Sequence, residues 1–187
     1  MKIYTYQSEK IFVPSSPFFS STPLHTGGIT IFPFGALDTT VELISEISTT
    51  NGVISAVCDF SRKTKGVSIV CAQLKLGSLP RQSAIVANKG ELVEIADSCC
   101  SLPPFAPSSV VKIFRIGSLS CALLVGNDAF IRPLFFKVAK RCNLILSLPC
   151  DTDNARENLI REYSDEANIP LLYCSPTNSF FSLPMMN

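Results

Sequence analysis

Three uninterrupted apolar runs near the C-terminal end, SCALLVG (120–126), NLILSLP (143–149) and IPLLYCS (169–175), constrain this chain more than any other feature. Each has the length of a strand and no polar face. Between them stand helix-like segments, one from about Asp128 to Arg141 with Pro133 tolerated near its first turn, the other the polar-capped DTDNARENLIREYSDEAN. Continuous apolar strands separated by helices require a sheet covered on at least one face, which places the chain in the α/β class.

Upstream, KIYTY (2–6) alternates as a short strand, and residues 8–28, rich in Ser, Pro and Phe, carry loop chemistry with aromatic anchors. ITIFP (29–33) is a buried-type strand stopped by Pro33. Asp38 or Thr39 then caps an expected helix running to about Ser48. VISAVCDF and VSIVCAQLK read as the two arms of a hairpin, and SAIVANKGELVEIAD as a second hairpin with Asn88, Lys89 and Gly90 at its tip. Two further strands, VVKIFRIG and SLSCALLVG, follow a Pro-rich stretch. With no internal repeat and no linker, residues 1–187 are expected to form one domain.

Composition narrows the function classes. Charged residues are 17% of the chain against about 25% in a typical globular domain, and mean hydropathy is +0.31. This excess of apolar surface predicts a subunit interface, a homo-oligomer with a dimer as its simplest form. Sixteen basic residues against fifteen acidic ones are scattered, with no stripe to track a nucleic-acid backbone. The N-terminus turns polar after six residues, without the apolar segment of a signal peptide, and no run approaches the ~18 apolar residues of a membrane span. The expectation is a cytoplasmic protein without nucleic-acid or membrane partners. The eight cysteines include no C-x2-C pair, and several lie inside apolar strands, which points to free, mostly buried thiols and no metal site or other cofactor.

The succession of segments resembles the nitrilase, or carbon-nitrogen hydrolase, superfamily. GGITIFPFGAL is similar to the family's second strand ending in Pro-Glu, and SAIVANKGELVEIADS to its hairpin, eight residues beyond whose Gly a catalytic Lys follows. GSLSCALLVGNDAF is similar to the strand and elbow ending in Cys-x-Asp, and the last strand-helix-strand and MKIYTYQ also fit. The resemblance implies a nitrilase-like αββα sandwich, reduced in its first helix region and at its C-terminal end, with mixed sheets flanked by helices.

The family's chemistry uses a Cys nucleophile, a Glu general base and a Lys that stabilises the tetrahedral oxyanion, commonly with a second Glu assisting. Carried over by position, Pro33 is matched but the Glu position is Phe34, the Lys position is Ser98 and the Cys position is Gly126, while Asp128 keeps its Asp. No acidic residue lies between Ser98 and Gly126 to stand for the assisting Glu. The resemblance therefore implies a scaffold without its hydrolase activity, acting as a binding or structural subunit, with Asp128 a helix cap and Phe34 a candidate plug of the pocket.

Two alternatives follow from the residues. A cryptic amide or nitrile hydrolase would use Cys121, which stands four residues after a Gly, with His25, the single histidine; an offset of five along a strand, however, puts Cys121 and Gly126 on opposite faces. A small-molecule-binding protein would use the former pocket, with Ser98, Asn127 and Asp128 as its polar groups.

Overall fold

The computed structural model describes residues 3–5, 26–37, 40–43, 46, 52–151 and 153–184. Two sheets dominate. The first orders β1 (Ile3–Thr5), β2 (Ile29–Phe32), β4 (Val67–Leu76), β5 (Leu79–Asn88) and β6 (Glu91–Asp97), with β3 (Thr40–Glu42) pairing with the far half of β4. The second orders β11 (Ser179–Ser182), β10 (Leu171–Cys174), β9 (Leu144–Leu148), β8 (Leu119–Val125) and β7 (Ile113–Ile116). The apolar runs of β8, β9 and β10 lie parallel at its centre, and β7 and β11 flank them antiparallel.

The two-residue period of a strand sorts its side chains between layers. Ile29 and Ile31 of β2, Val67, Ile69 and Cys71 of β4, and Ala84 and Val86 of β5 face Cys121, Leu123 and Val125 of β8, Leu144, Leu146 and Leu148 of β9, and Leu172 and Cys174 of β10. The intervening residues face outward. Phe32, Val70, Ala72, Leu74 and Ile85 pack under α1 (Val53–Thr64). Ala122, Leu124, Ile145, Leu171 and Tyr173 pack under α2 (Arg132–Ala139) and α3 (Asn154–Glu166). The layers are therefore helix, sheet, sheet, helices, as the family resemblance implies.

Several elements differ from the sequence expectation. VISAVCDF is helix, not strand: Val53, Val57, Phe60, Ser61 and Thr64 recur at helical spacing and are buried, so the stripe becomes visible only when the polar SRKT is read as the last turn. Its start has no cap from Gly52, and the Glu46 carboxylate instead accepts the Ile54 N–H at 3.0 Å. Its end is a left-handed Lys65 (φ 53°) whose N–H returns to Ser61 and Arg62 carbonyls. The hairpin partner of β4 is therefore β5, joined at Gly77 and Ser78, and not residues 53–60. The helix expected from Asp38 or Thr39 starts later: residues 40–42 are the strand β3, with Leu43 and Glu46 helical, and the two proposed capping residues lie outside the described residues. β11 adds an antiparallel edge to a region read only as a shortened end.

Phe60 is the anchor of α1, 1% exposed and edge-on to Phe32 with ring centroids 5.4 Å apart. Phe60→Ala should destabilise the protein by about 3–5 kcal/mol in denaturant titration, with the slope of the transition unchanged.

Candidate functional site

β8 ends on an elbow. Gly126 donates its N–H to the Leu148 carbonyl at 2.9 Å, which carries the β8–β9 ladder one residue further, and then takes φ +62° before a short 3-10 turn (Asp128–Phe130) leads into α2. A strand turning sharply into a helix through a left-handed residue is the geometry that elsewhere presents a nucleophile. Here the position is buried and has no side chain. A Cβ added to Gly126 would stand 2.6 Å from Gln82 Oε1, 3.2 Å from Ser98 Oγ and 3.4 Å from Ser98 Cβ. The structure thus brings Ser98 and Gly126, from different sheets, face to face.

Asp128 holds that juxtaposition. Its side chain caps no helix; it points across to the segment after β6, a correction to the sequence reading. Ser98 Oγ donates to Oδ1 at 2.9 Å, the Cys99 N–H reaches both carboxylate oxygens at 2.9 Å, and the Cys100 N–H reaches Oδ1 at 2.8 Å. The carboxylate is 1% exposed. Burial raises its pKa above the ordinary value, against the hydrogen bonds from Cys99, Ser98 and Cys100 that lower it. The Ser98 N–H donates to the Gln82 carbonyl at 2.8 Å, so the same short segment is also fixed to β5.

Phe34 reaches this end from the other side. It follows β2, is 7% exposed, and with Cys71, Gln73, Gln82, Phe105 and Cys150 lines a cavity of about 510 Å³. Gln82 joins the two halves of the site, because it lines the cavity while its Oε1 lies against Gly126. Phe34 forms a wall of the cavity and leaves it open. Among the described residues its other polar groups are Thr40 and Gln73, hydrogen-bonded to each other at 3.3 Å, and none of its described lining residues is a Lys, Arg, Asp or Glu. Asn127 and the buried pair Ser98 and Asp128 are not among them either. The sequence reading missed Gln82, since a glutamine in the middle of a strand carries no motif; the signal was its position opposite the end of β6, one residue from Arg81 and Ser83, which bind Asp97.

The thiols near the site are not activated. Cys150 is pushed up to about 12 by burial and then by Asp151 and Asp128, and Cys99 to about 11 by burial and then by Asp128. Burial also raises Cys71 well above its ordinary value. Nucleophilic thiolates form beside cations, and the charged neighbours of Cys99 and Cys150 are carboxylates. Cys121 lies elsewhere: it is fully buried between the sheets, pairs with Leu144 at the start of β9 whereas Val125 pairs with Leu148 at its end, and stands about 16 Å along the strand from Gly126. Burial raises it to about 11. His25 lies outside the described residues. No group of three or more His, Cys, Asp or Glu side chains among the described residues is placed to hold a metal, and no helix among them is long and apolar enough to cross a membrane.

Asp128→Asn should destabilise the protein by about 1–3 kcal/mol at neutral pH, through amide donors set against the donors of residues 98–100. A carboxylate whose folded pKa is raised makes stability fall as pH rises from the unfolded value, about 3.9, through the folded one. The gap between the two proteins in denaturant titrations should therefore be wider at pH 3.5 than at pH 7.

No family model matches the sequence, and no curated protein matches it. Solved structures do. An amidase of the nitrilase superfamily from Nesterenkonia superposes with a TM-score of 0.64 at 16% identity, over 82% of this chain and 66% of that one. A carbon-nitrogen hydrolase from Helicobacter pylori gives 0.65 at 13% identity, over 79% and 61%, and Nit3 of Saccharomyces cerevisiae, a member of branch 10 of the superfamily, gives 0.63 at 10% identity, over 79% and 62%. In a further structure of the Nesterenkonia amidase, the acetamide moiety of fluoroacetamide is added to an active-site cysteine. The chain spans less than two thirds of the length of these relatives. With its two mixed sheets, its outer helices and its elbow after β8, the chain has the fold of the nitrilase superfamily.

Proposed function

We propose that this chain is a nitrilase-fold protein without hydrolase activity, a single domain over residues 1–187 that acts as a binding or structural subunit. The observation that carries the reading is local. At the elbow, where the family's chemistry needs a thiolate beside a cation, Gly126 faces Ser98 and the side-chain oxygen of Gln82. Acyl transfer through a thiol needs a nucleophile with a lowered pKa, a base within reach of its proton, and donors for the oxyanion. The carboxylate present, Asp128, is committed to a serine hydroxyl and two backbone amides. Phe34, at the family's base position, offers no acceptor. Self-association through apolar faces fits the composition, with Leu92 and Val93 exposed on the edge strand β6, and a cytoplasmic location fits the free thiols.

A second reading, a small-molecule receptor, draws on the open cavity. Its walls join Phe34, Leu37 and Phe105 to the amides of Gln73 and Gln82, a lining suited to an uncharged polar ligand. Binding there needs neither nucleophile nor base and is compatible with the absence of turnover.

Fluoroacetamide tests the loss of the nucleophile. After incubation at neutral pH, intact-protein mass spectrometry should show unmodified chain; a stoichiometric adduct on one cysteine, removed by changing Cys121 or Cys150 to Ala, would overturn the reading.

A further inference from the structure

The end of the sandwich opposite the elbow holds a second, smaller cavity of about 240 Å³, lined by Gly28, Ile29, Lys65, Gly66, Asn88, Lys89 and the Ile116–Gly117 turn. Three turns meet there: the end of α1, the β5–β6 hairpin and the β7–β8 hairpin. Their backbones are close. The Lys89 N–H donates to the Gly66 carbonyl at 3.1 Å, the Val67 N–H donates to the Gly28 carbonyl at 2.9 Å, and a Cβ on Gly66 would lie 2.8 Å from the Gly28 oxygen.

Lys65 and Lys89 both line this cavity and both have positive φ, 53° and 51°. The first is the left-handed residue that ends a helix; the second, with Gly90 at φ 99°, is the first central residue of a hairpin turn of the type that takes positive φ twice. Glycine or asparagine relieves such positions, and a lysine strains them. Among the described residues neither lysine is in a salt bridge. Both side chains are exposed at this cavity. A fold accepts backbone strain where the residues serve a site.

We infer that this cavity binds a small phosphate monoester, with Lys65 and Lys89 as the cationic pair, Asn88 as a polar neighbour and Ile116 beside the apolar part of the ligand. Two ammonium groups from separate turns match a dianionic phosphate better than the single charge of a carboxylate. The site is independent of the elbow and of whether any catalysis occurs there.

Thermal unfolding in phenyl phosphate, with benzoate at matched ionic strength as the monoanion control, tests the assignment. Phenyl phosphate at about ten times its Kd should raise Tm by about 3 °C or more, and benzoate should not. Lys65→Gly and Lys89→Gly suit the left-handed backbone, so these variants should fold with Tm unchanged or raised, yet the double variant should lose the phosphate-dependent shift, and Lys65→Arg should keep it. No shift in the native protein, an equal shift with benzoate, or a shift that persists in the double glycine variant would overturn the inference.

Discussion

The buried carboxylate of Asp128 is the constraint on which the candidate site depends. Placed three residues past the end of β8, it gathers the Ser98 hydroxyl and the amides of Cys99 and Cys100, and so ties the elbow of one sheet to the strand exit of the other. Sheets that pack only through aliphatic side chains can slide with modest change in energy, because hydrophobic contact is non-directional. Hydrogen bonds to a desolvated carboxylate are directional and costly to leave unmade. They fix Ser98 opposite Gly126 and set how closely the two faces approach. The glycine completes the arrangement, since the left-handed backbone admits it without strain and the neighbouring Gln82 oxygen occupies the space a side chain would need.

The same carboxylate bears on chemistry. A negative group amid thiols and hydroxyls raises the pKa of each thiol near it, so the residue that organises the elbow also works against a nucleophile there. Cys71 and Cys150, on the wall of the larger cavity, sit in apolar surroundings that favour the protonated form. The described lining of that cavity consists of aromatic, aliphatic, amide, hydroxyl and thiol groups, none of them formally charged.

Much of the fold was legible in the sequence where one physical signal dominated. β8, β9 and β10 announce themselves because strands buried on both faces are apolar throughout, and the Asn88–Gly90 turn because its residues suit a tight hairpin. Residues 53–64 were misread because Val, Ile and Cys favour strands locally, whereas the helical stripe from Val53 to Thr64 emerges only over three turns and includes a buried serine and threonine. At the site, Ser98 and Gly126 could be paired through family resemblance, but nothing local announced that Asp128 would turn away from its helix. Capping and cross-sheet bonding draw on the same chemistry, and only the distance to residues 98–100 decides between them. Gln82 was invisible for a related reason: its part comes from the neighbour across the sheets, and a single strand does not encode that neighbour.

Whether the elbow has lost its chemistry is measured most directly by the release of ammonia from a panel of simple amides and nitriles. The purified protein is expected to release no more than buffer, at any pH where it is folded. Sustained release by the native chain, abolished by Cys121→Ala or by exchange of one of the cysteines around the larger cavity, would contradict the account.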